Sequence, residues 1–281
     1  RWRLVWQDEF DGQDRTGPDD PCYTRPVSCT DGLNLYVSDC NPEELGEGME
    51  DFNRCRWTIL SGYNYWGNKT SAFRSSLVSM QNGELVLDGA TAPGPFDCGA
   101  VDPANQWDWT RACPFHVGAI WGRRYVDIWG DGQVDVPGYQ QKFGRFEVRT
   151  RISSGAGAFP ATWLLPQDGG WPDGGEIDVM ESTAPHPEEL YQMLHAREGD
   201  IHTSAGGVFT TKPPFADTWT RDYHVYSAEW DATEIRYFTD NRLVRRIGNA
   251  EVLDDRWDDD TCTMAIPSGH PFYWILNDNL H

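Results

Sequence analysis

The sequence of 281 residues lacks several features that would assign it to other classes of protein. It has no apolar run of about 18 residues, the length that a membrane-spanning helix requires, so we expect no membrane insertion. Its opening stretch, RWRLVWQDEF, lacks the apolar core of a signal peptide and is interpreted as the start of a mature or trimmed chain. No G-x-S-x-G, H-E-x-x-H or P-loop motif occurs, so no motif supports a serine hydrolase, a zinc protease or a nucleotide-binding protein.

Basic residues are scarce. The 23 Lys and Arg stand against 44 Asp and Glu, which gives a formal net charge of −21. Binding of nucleic acid depends on cations that neutralise phosphates, so we expect no nucleic-acid partner. Long-range repulsion would also slow the approach of a sulfated polysaccharide.

Cysteine pairs with the C-x-x-C spacing of zinc and redox motifs are absent. The seven cysteines are concentrated instead in irregular stretches: Cys22, Cys29, Cys40, Cys55, Cys98, Cys113 and Cys262. This pattern favours long loops held by disulfide bonds in an oxidising compartment, so we predict a secreted protein. The odd count leaves at least one cysteine unpaired, and the sequence leaves the pairing open.

Alternation of apolar and polar residues predicts strands along most of the chain. RFEVRTRI (145–152) and GELVLDG (83–89) have the period of a half-buried strand. EIRYFTDNRLVRRI (234–247) predicts a hairpin around Asp240-Asn241. PFYWILN (271–277) is apolar throughout, as in a strand that is covered on both sides.

Helical patterns are few and short. They are confined to NPEELG (41–46) and HPEELYQML (186–194), and no internal repeat or linker is evident. The frequency of Gly and Pro, 28 and 18 residues, suits a chain with many turns. We therefore predict one all-β domain over residues 1–281, most simply a sandwich of two antiparallel sheets.

Three of the acidic residues in GGWPDGGEIDVMES (169–182), namely Glu176, Asp178 and Glu181, lie within six positions of one another. In a regular strand Glu176 and Asp178 share a face, whereas Glu181 is at an odd offset and faces the other way. One extra residue, a β-bulge near Val179-Met180, would return Glu181 to the first face. The alternative is a regular strand with Glu181 in solvent at its end.

Aromatic residues near these carboxylates favour a sugar site. The chain has 14 tryptophans, and Trp163 and Trp171 flank the acidic stretch. Flat aromatic rings pack against pyranose rings, and two carboxylates around a glycosidic bond are what its hydrolysis requires.

GEIDVMES resembles the signature of glycoside hydrolase family 16, the laminarinase, lichenase and agarase group. LVWQDEFDG, FGRFEVRTRI, PATWLLP, YHVYSAEWDATEIRYFTDNRLV and PFYWILN resemble further family segments in the same order. The resemblance implies a β-jelly roll with a concave substrate cleft and hydrolysis with retention of configuration. The family usually continues into one more strand that pairs with the N-terminal one. That strand often supplies a calcium ligand, so a structural calcium is left open, and no cofactor is expected for catalysis.

By position, the resemblance makes Glu176 the nucleophile and Glu181 the general acid/base, with Asp178 between them. Met180 gives the bulged form of the motif, which resembles β-1,3-glucanases and agarases. The resemblance also implies a set of substrate-binding residues: Trp171, Trp163, His202, Asn68 and Trp230. His195 is the competitor of His202, and Phe159 stands where the family commonly has tryptophan.

We therefore predict a secreted, monomeric endo-β-1,3-glucanase that acts on a polysaccharide. Two alternatives stay open. One is the same mechanism on mixed-linkage β-1,3-1,4-glucan or on a galactan such as agarose. The other is a non-catalytic β-glucan-binding protein, a class that tends to lose the acidic residues present here.

Overall fold

The computed structural model of the chain describes a set of separate segments. These are residues 3–7, 10, 35–36, 57–60, 62–63, 71–91, 115–122, 139–153, 155, 157–166, 168–183, 189–198, 201–210, 219–249, 251–254 and 261–280. Contacts divide the chain into two compact units: Arg1–Arg3 with Gln140–Ile275, and Leu4–Tyr139 with Leu276–His281. The first unit is called the carboxylate unit below because it contains Glu176.

Strands make up almost all of the regular structure in the described segments. They are β1 (Leu35–Tyr36), β2 (Thr58–Leu60), β3 (Gly62–Tyr63), β4 (Ser71–Phe73), β5 (Val78–Gln81), β6 (Glu84–Leu87), β7 (Gly89–Thr91), β8 (Phe115–Val117), β9 (Ala119–Trp121), β10 (Gly144–Thr150), β11 (Ala158–Pro166), β12 (Glu176–Glu181), β13 (Glu189–Glu198), β14 (Ile201–Thr210), β15 (His224–Trp230), β16 (Glu234–Thr239), β17 (Arg242–Gly248), β18 (Glu251–Asp254), β19 (Thr261–Met264) and β20 (Phe272–Leu280). The helical structure in these segments is one 3-10 turn at Ser75–Leu77. The described part of the chain thus contains no helix with the length and apolarity to cross a membrane.

The carboxylate unit contains two sheets that pack face to face. One has the order β11-β12-β13-β14 and the other the order β10-β15-β16-β17. All these neighbours pair antiparallel. Inward-pointing side chains of the two sheets form the core, as in Phe146, Tyr226, Ile235 and Tyr237.

Several predicted strands are confirmed. RFEVRTRI forms β10 up to Thr150, and GELVLDG contains β6. The hairpin of β16 and β17 turns at Asp240 and Asn241, whose φ angles of 48° and 60° are those of a type I′ turn. Every residue from 272 to 279 in β20 is buried, as its continuous apolar pattern predicted.

The helix predicted over residues 186–194 is wrong where the structure describes it, because Glu189–Glu198 is strand β13. Leu190, Met193 and Leu194 have helical spacing in the sequence. Leu190, Gln192 and Leu194 are nevertheless the residues that point into the core, each at most 1% exposed. Residues 189–198 form a strand because they pair with β12 on one side and with β14 on the other. The two-residue period of the buried positions is not evident in the sequence, because the middle position is the polar Gln192.

The second unit is also built from strands. β1, β2 and β9 are neighbours in one sheet, β3, β4, β8 and β7 form another, and β5 pairs with β6. The β4–β8 pair is parallel, whereas the other recorded pairs of this unit are antiparallel. Trp6 stacks on Tyr139 with ring centroids 4.8 Å apart.

The predicted fold class, all-β with packed antiparallel sheets, is confirmed. The single domain over residues 1–281 stays a prediction. Asn68, the segment 41–46 and all the cysteines except Cys262 lie outside the described residues, and only the backbone of Cys262 is described. The disulfide bonds therefore stay predictions as well.

Candidate active site

A tight turn delivers the chain into β12. Residues 171–174 form the turn, and the amides of Gly174 and Gly175 donate to the carbonyl oxygens of Gly170 and Pro172 at 2.8 and 3.0 Å. Gly175 has a φ of 90°, and an added Cβ would lie 2.5 Å from the ring of Pro267. Glycine is therefore required immediately before Glu176.

The predicted bulge is present in β12. Against β11, Met180 is opposite Thr162 and Asp178 is opposite Trp163, so Val179 has no opposite residue. Against β13, Asp178 is opposite Met193 and Glu181 is opposite Tyr191, so a step of three residues in β12 matches a step of only two in the partner strand. Both neighbours thus record one extra residue in β12.

The bulge brings the third carboxylate to the face of the other two. Asp178 and Glu181 are opposite Trp163 and Ala161 in β11, which are two residues apart and share a face. The same is true of their partners in β13, which are also two residues apart. Glu181 therefore points to the same side as Asp178, although the two are at an odd offset.

The carboxyls of Asp178 and Glu176 lie close enough to share a proton. Asp178 is fully buried, and neither of its oxygens accepts a hydrogen bond of good geometry from an N–H or hydroxyl group of the described residues. Its carboxyl is hydrogen-bonded to that of Glu176, which requires a proton on one of the two. The Nε2 atom of His195 lies 3.1 Å from Oδ2 of Asp178, an ion-pair distance when His195 is protonated.

All three carboxyls hold their protons more tightly than in water. Burial, and then the charge of Asp178, raises the pKa of Glu176 to about 9. Burial, and then the charge of Glu176, raises the pKa of Glu181 to about 7. Burial and the charge of Glu181 raise the pKa of Asp178 well above its ordinary value. The site therefore carries fewer than three negative charges at neutral pH.

Tyr237 reaches the site from the facing sheet. Its hydroxyl donates to the carbonyl oxygen of Met193, the residue opposite Asp178 in β13. Burial raises the pKa of Tyr237 well above its ordinary value, and the charges of the three carboxylates raise it further. A neutral phenol below the acids thus joins the two sheets under the site.

Trp171 offers an exposed aromatic surface beside the carboxylates. It is 54% exposed, its side chain is hydrogen-bonded to the Glu176 carboxyl, and its ring centroid lies 6.5 Å from that of His195. Trp163 is opposite Asp178 but only 7% exposed, so it offers little area. Phe159, on the same strand, is half-buried.

The expectation that Trp230 lines the cleft is corrected. Its ring is 1% exposed and packs edge-on against Phe143 and Phe272 at 5.0 and 4.8 Å. Its indole N–H donates to the carbonyl oxygen of Pro267 at 2.9 Å. All its polar and apolar surface is used in the core, so Trp230 supports the fold.

Of the two candidate histidines, His195 is the one that the structure brings to the carboxylates. It is opposite Glu176 in the β12–β13 register and contacts Asp178. His202 lies on β14 opposite Arg197 of β13, and only the backbone of His202 is described. The signal that could have favoured His195 is the strand register, which the helical interpretation of 186–194 concealed.

Glu176, Asp178 and His195 each offer an atom within 4.8 Å of the others, close enough for a metal ion. Among the described residues, these three are the recorded group of His, Cys, Asp or Glu side chains that could hold a metal ion. A structural calcium stays a prediction from the resemblance.

The chain is similar to known glucan hydrolases. The family model described as Glycosyl hydrolases family 16 matches residues 137–269. A β-glucanase of Rhodothermus marinus is 37% identical over 142 residues, which are 48% of this chain and 46% of that protein. A glucan endo-1,3-beta-glucosidase of Cryptopygus antarcticus is 28% identical over 256 residues, 89% of this chain and 82% of that protein. The X-ray structure of the laminarinase from Rhodothermus marinus has a TM-score of 0.60 at 24% identity, covers 100% of this chain and 86% of its own, and shows the same fold.

Carboxylates grouped on one face of a strand beside an exposed tryptophan are the arrangement that hydrolysis of a glycosidic bond requires. The family model covers β12, its bulge and His195, the elements that build this site. Residues 137–269 match the model of glycoside hydrolase family 16, and for this segment the resemblance inferred from the motifs is confirmed. The chain spans less than half the length of its R. marinus relative.

Proposed function

We propose that this chain hydrolyses β-glucan at internal linkages, that it prefers β-1,3 linkages, and that the anomeric configuration is retained. The observation that carries the proposal is the bulge at Val179, which puts Glu181 on the face of Glu176 and Asp178. The names of the R. marinus and C. antarcticus relatives support the choice of β-glucan as substrate.

The first step of the proposed reaction forms a glycosyl ester. Glu181 donates its proton to the glycosidic oxygen, the bond from that oxygen to the anomeric carbon breaks, and a carboxylate oxygen of Glu176 bonds to the same carbon. In the second step the ionised Glu181 takes a proton from water. The water oxygen then attacks the anomeric carbon and releases Glu176, which restores the starting state.

The nucleophile must be ionised, although burial raises the pKa of Glu176 to about 9. In a hydrogen-bonded carboxyl pair the proton belongs to the pair and not to one member. When the proton lies on Asp178, Glu176 is an ionised nucleophile that accepts a hydrogen bond from its neighbour. The charge of His195 and the hydrogen bond from Trp171 lower the pKa of Glu176 and favour this arrangement.

Release of reducing ends from laminarin, lichenan and agarose tests the proposal. We expect the parent to cut laminarin fastest, and Glu176→Gln and Glu181→Gln each to lower the rate by about 10²- to 10⁴-fold. Glu147→Gln is the matched control, because this glutamate is 48% exposed and pairs with Arg145 on β10. Variants at 176 and 181 that cut as fast as the parent would contradict the roles.

The same panel separates the alternative functions. Faster cleavage of lichenan or agarose would keep the mechanism and change the substrate. Binding to insoluble β-glucan without any release of reducing ends would favour a non-catalytic glucan-binding protein. We also propose that the protein is secreted and monomeric, since its substrate is an extended polymer and its sequence contains seven cysteines.

A further inference from the structure

Gln192 is a buried polar residue on β13 directly under the bulge. It is 1% exposed, and its side-chain Nε2 donates to the carbonyl oxygen of Val179 at 2.8 Å. The same nitrogen lies 3.4 Å from the carbonyl oxygen of Phe238 and donates to it as well. One side-chain amide thus serves two main-chain acceptors.

Val179 is the residue that the bulge leaves out of the ladders. It has no opposite residue in β11 or in β13, and it is 0% exposed. A buried carbonyl with no hydrogen-bond donor is costly, and water is excluded at this depth. The Gln192 amide supplies the donor that a regular strand would have supplied.

The orientation of the amide follows from its partners. Rotating the amide by 180° would direct the Gln192 Oε1 atom at two carbonyl oxygens, which are all acceptors. Oε1 itself has no hydrogen-bond partner among the residues that the structure describes. The donor end of Gln192 is therefore committed to Val179 and Phe238.

The second acceptor ties the bulge to the facing sheet. Phe238 lies on β16 at a register shift, where Tyr237 is opposite Arg245 and Phe238 is opposite Leu243 in β17. An amide that bonds Val179 in one sheet and Phe238 in the other fixes the position of the bulged segment relative to the core. Glu181 follows the bulged segment directly on β12, so the position of the segment sets where the Glu181 carboxyl lies.

We propose that Gln192 is a positioning residue that holds the β12 bulge and thereby aims Glu181 at the glycosidic oxygen. The inference rests on the proposed function, in which Glu181 is the acid/base. Gln192 touches neither substrate nor carboxylate, so its effect is limited to the step that needs an accurately placed proton donor.

Gln192→Met tests this inference, because methionine is also unbranched and of similar size but has no donor. Two substrates are compared: a β-1,3-gluco-oligosaccharide, whose leaving group needs protonation, and a 2,4-dinitrophenyl β-laminaribioside, whose leaving group does not. We expect kcat/KM to fall about tenfold or more on the oligosaccharide and to change less than about twofold on the activated glycoside. Rates are expressed per active site, counted by the burst of dinitrophenolate, so that unfolded protein does not enter the comparison.

Thr162→Val is the matched control. Thr162 is opposite Met180 at the same bulge, and its buried hydroxyl has no hydrogen-bond partner among the described residues. We expect its kcat/KM on both substrates to stay within about twofold of the parent. Equal losses on both substrates with Gln192→Met, or no loss on the oligosaccharide, would overturn the role of Gln192. A parent that cleaves neither substrate would instead contradict the proposed function.

Discussion

Replacing Glu176 by glutamine is expected to stabilise the fold at neutral pH while it lowers activity by about 10²- to 10⁴-fold. The pKa of Glu176 is raised from 4.5 to about 9, so the folded protein holds this proton more tightly than the unfolded chain. Its contribution to stability is complete below pH 4.5 and is lost as the pH rises through about 9. Glutamine is neutral at every pH, so the variant has no proton to lose at this position.

The size of the gain follows from the shift. Each pH unit between the two pKa values costs the parent about 1.4 kcal/mol of unfolding free energy, which gives about 3 kcal/mol at pH 7. This is an upper figure, because the half-buried Glu176 side chain still touches solvent. The gain should be near zero at about pH 4.5 and larger at about pH 8.5 than at pH 7.

Urea unfolding of parent and Glu176→Gln at these pH values measures the difference. Glu147→Gln, a change at an exposed site, should stay within about 0.5 kcal/mol of the parent throughout. A Glu176→Gln protein that is no more stable than the parent at pH 7 would refute the reasoning. A gain that does not grow with pH would refute it equally, since a buried charge must be its source.

Three further predictions concern activity. The pKa of about 7 at Glu181 predicts that kcat/KM falls as the pH rises above about 7, where the acid loses its proton, and Glu181→Gln should lose this limb of the pH profile. Trp171→Ala should raise KM for glucan about tenfold, because it removes the exposed stacking surface. Trp171→Phe should keep KM but lower kcat, because it removes the hydrogen bond to the nucleophile. An unchanged KM in both variants would exclude stacking. His195→Gln should lower kcat/KM about tenfold or more and His202→Gln less, and the opposite ranking in the same assay would restore His202 as the site histidine.

Local patterns predicted several strands and one of two forms of β12, the bulged one, but they predicted a helix where β13 lies. The two-residue period marked β10, and Asp240-Asn241 marked the turn of the β16–β17 hairpin. Glu181 lies at an odd offset from Glu176 and Asp178, so the three carboxylates can act together only if the strand contains one extra residue. This spacing indicated the bulge. In each case the information lies within a few residues of chain.

Features that depend on register between strands could not be predicted in this way. His195 reaches the carboxylates because β13 pairs with β12 in one register, and no pattern within the chain sets that register. Gln192 reads as a surface residue until the bulge that it bonds is known. Trp230 looked like a sugar-binding residue because burial in a core shared by two sheets is not visible in sequence.

The configuration of the first product tests most directly whether the bulge brings Glu181 within reach of the sugar bonded to Glu176. Proton NMR of a laminarin digest, recorded before mutarotation, identifies the anomer that is released. The account predicts the β-anomer, because a nucleophile and an acid/base only about 5 Å apart give retention. Release of the α-anomer would mean that the two carboxyls are too far apart for this chemistry, and the arrangement described for β12 would then be contradicted.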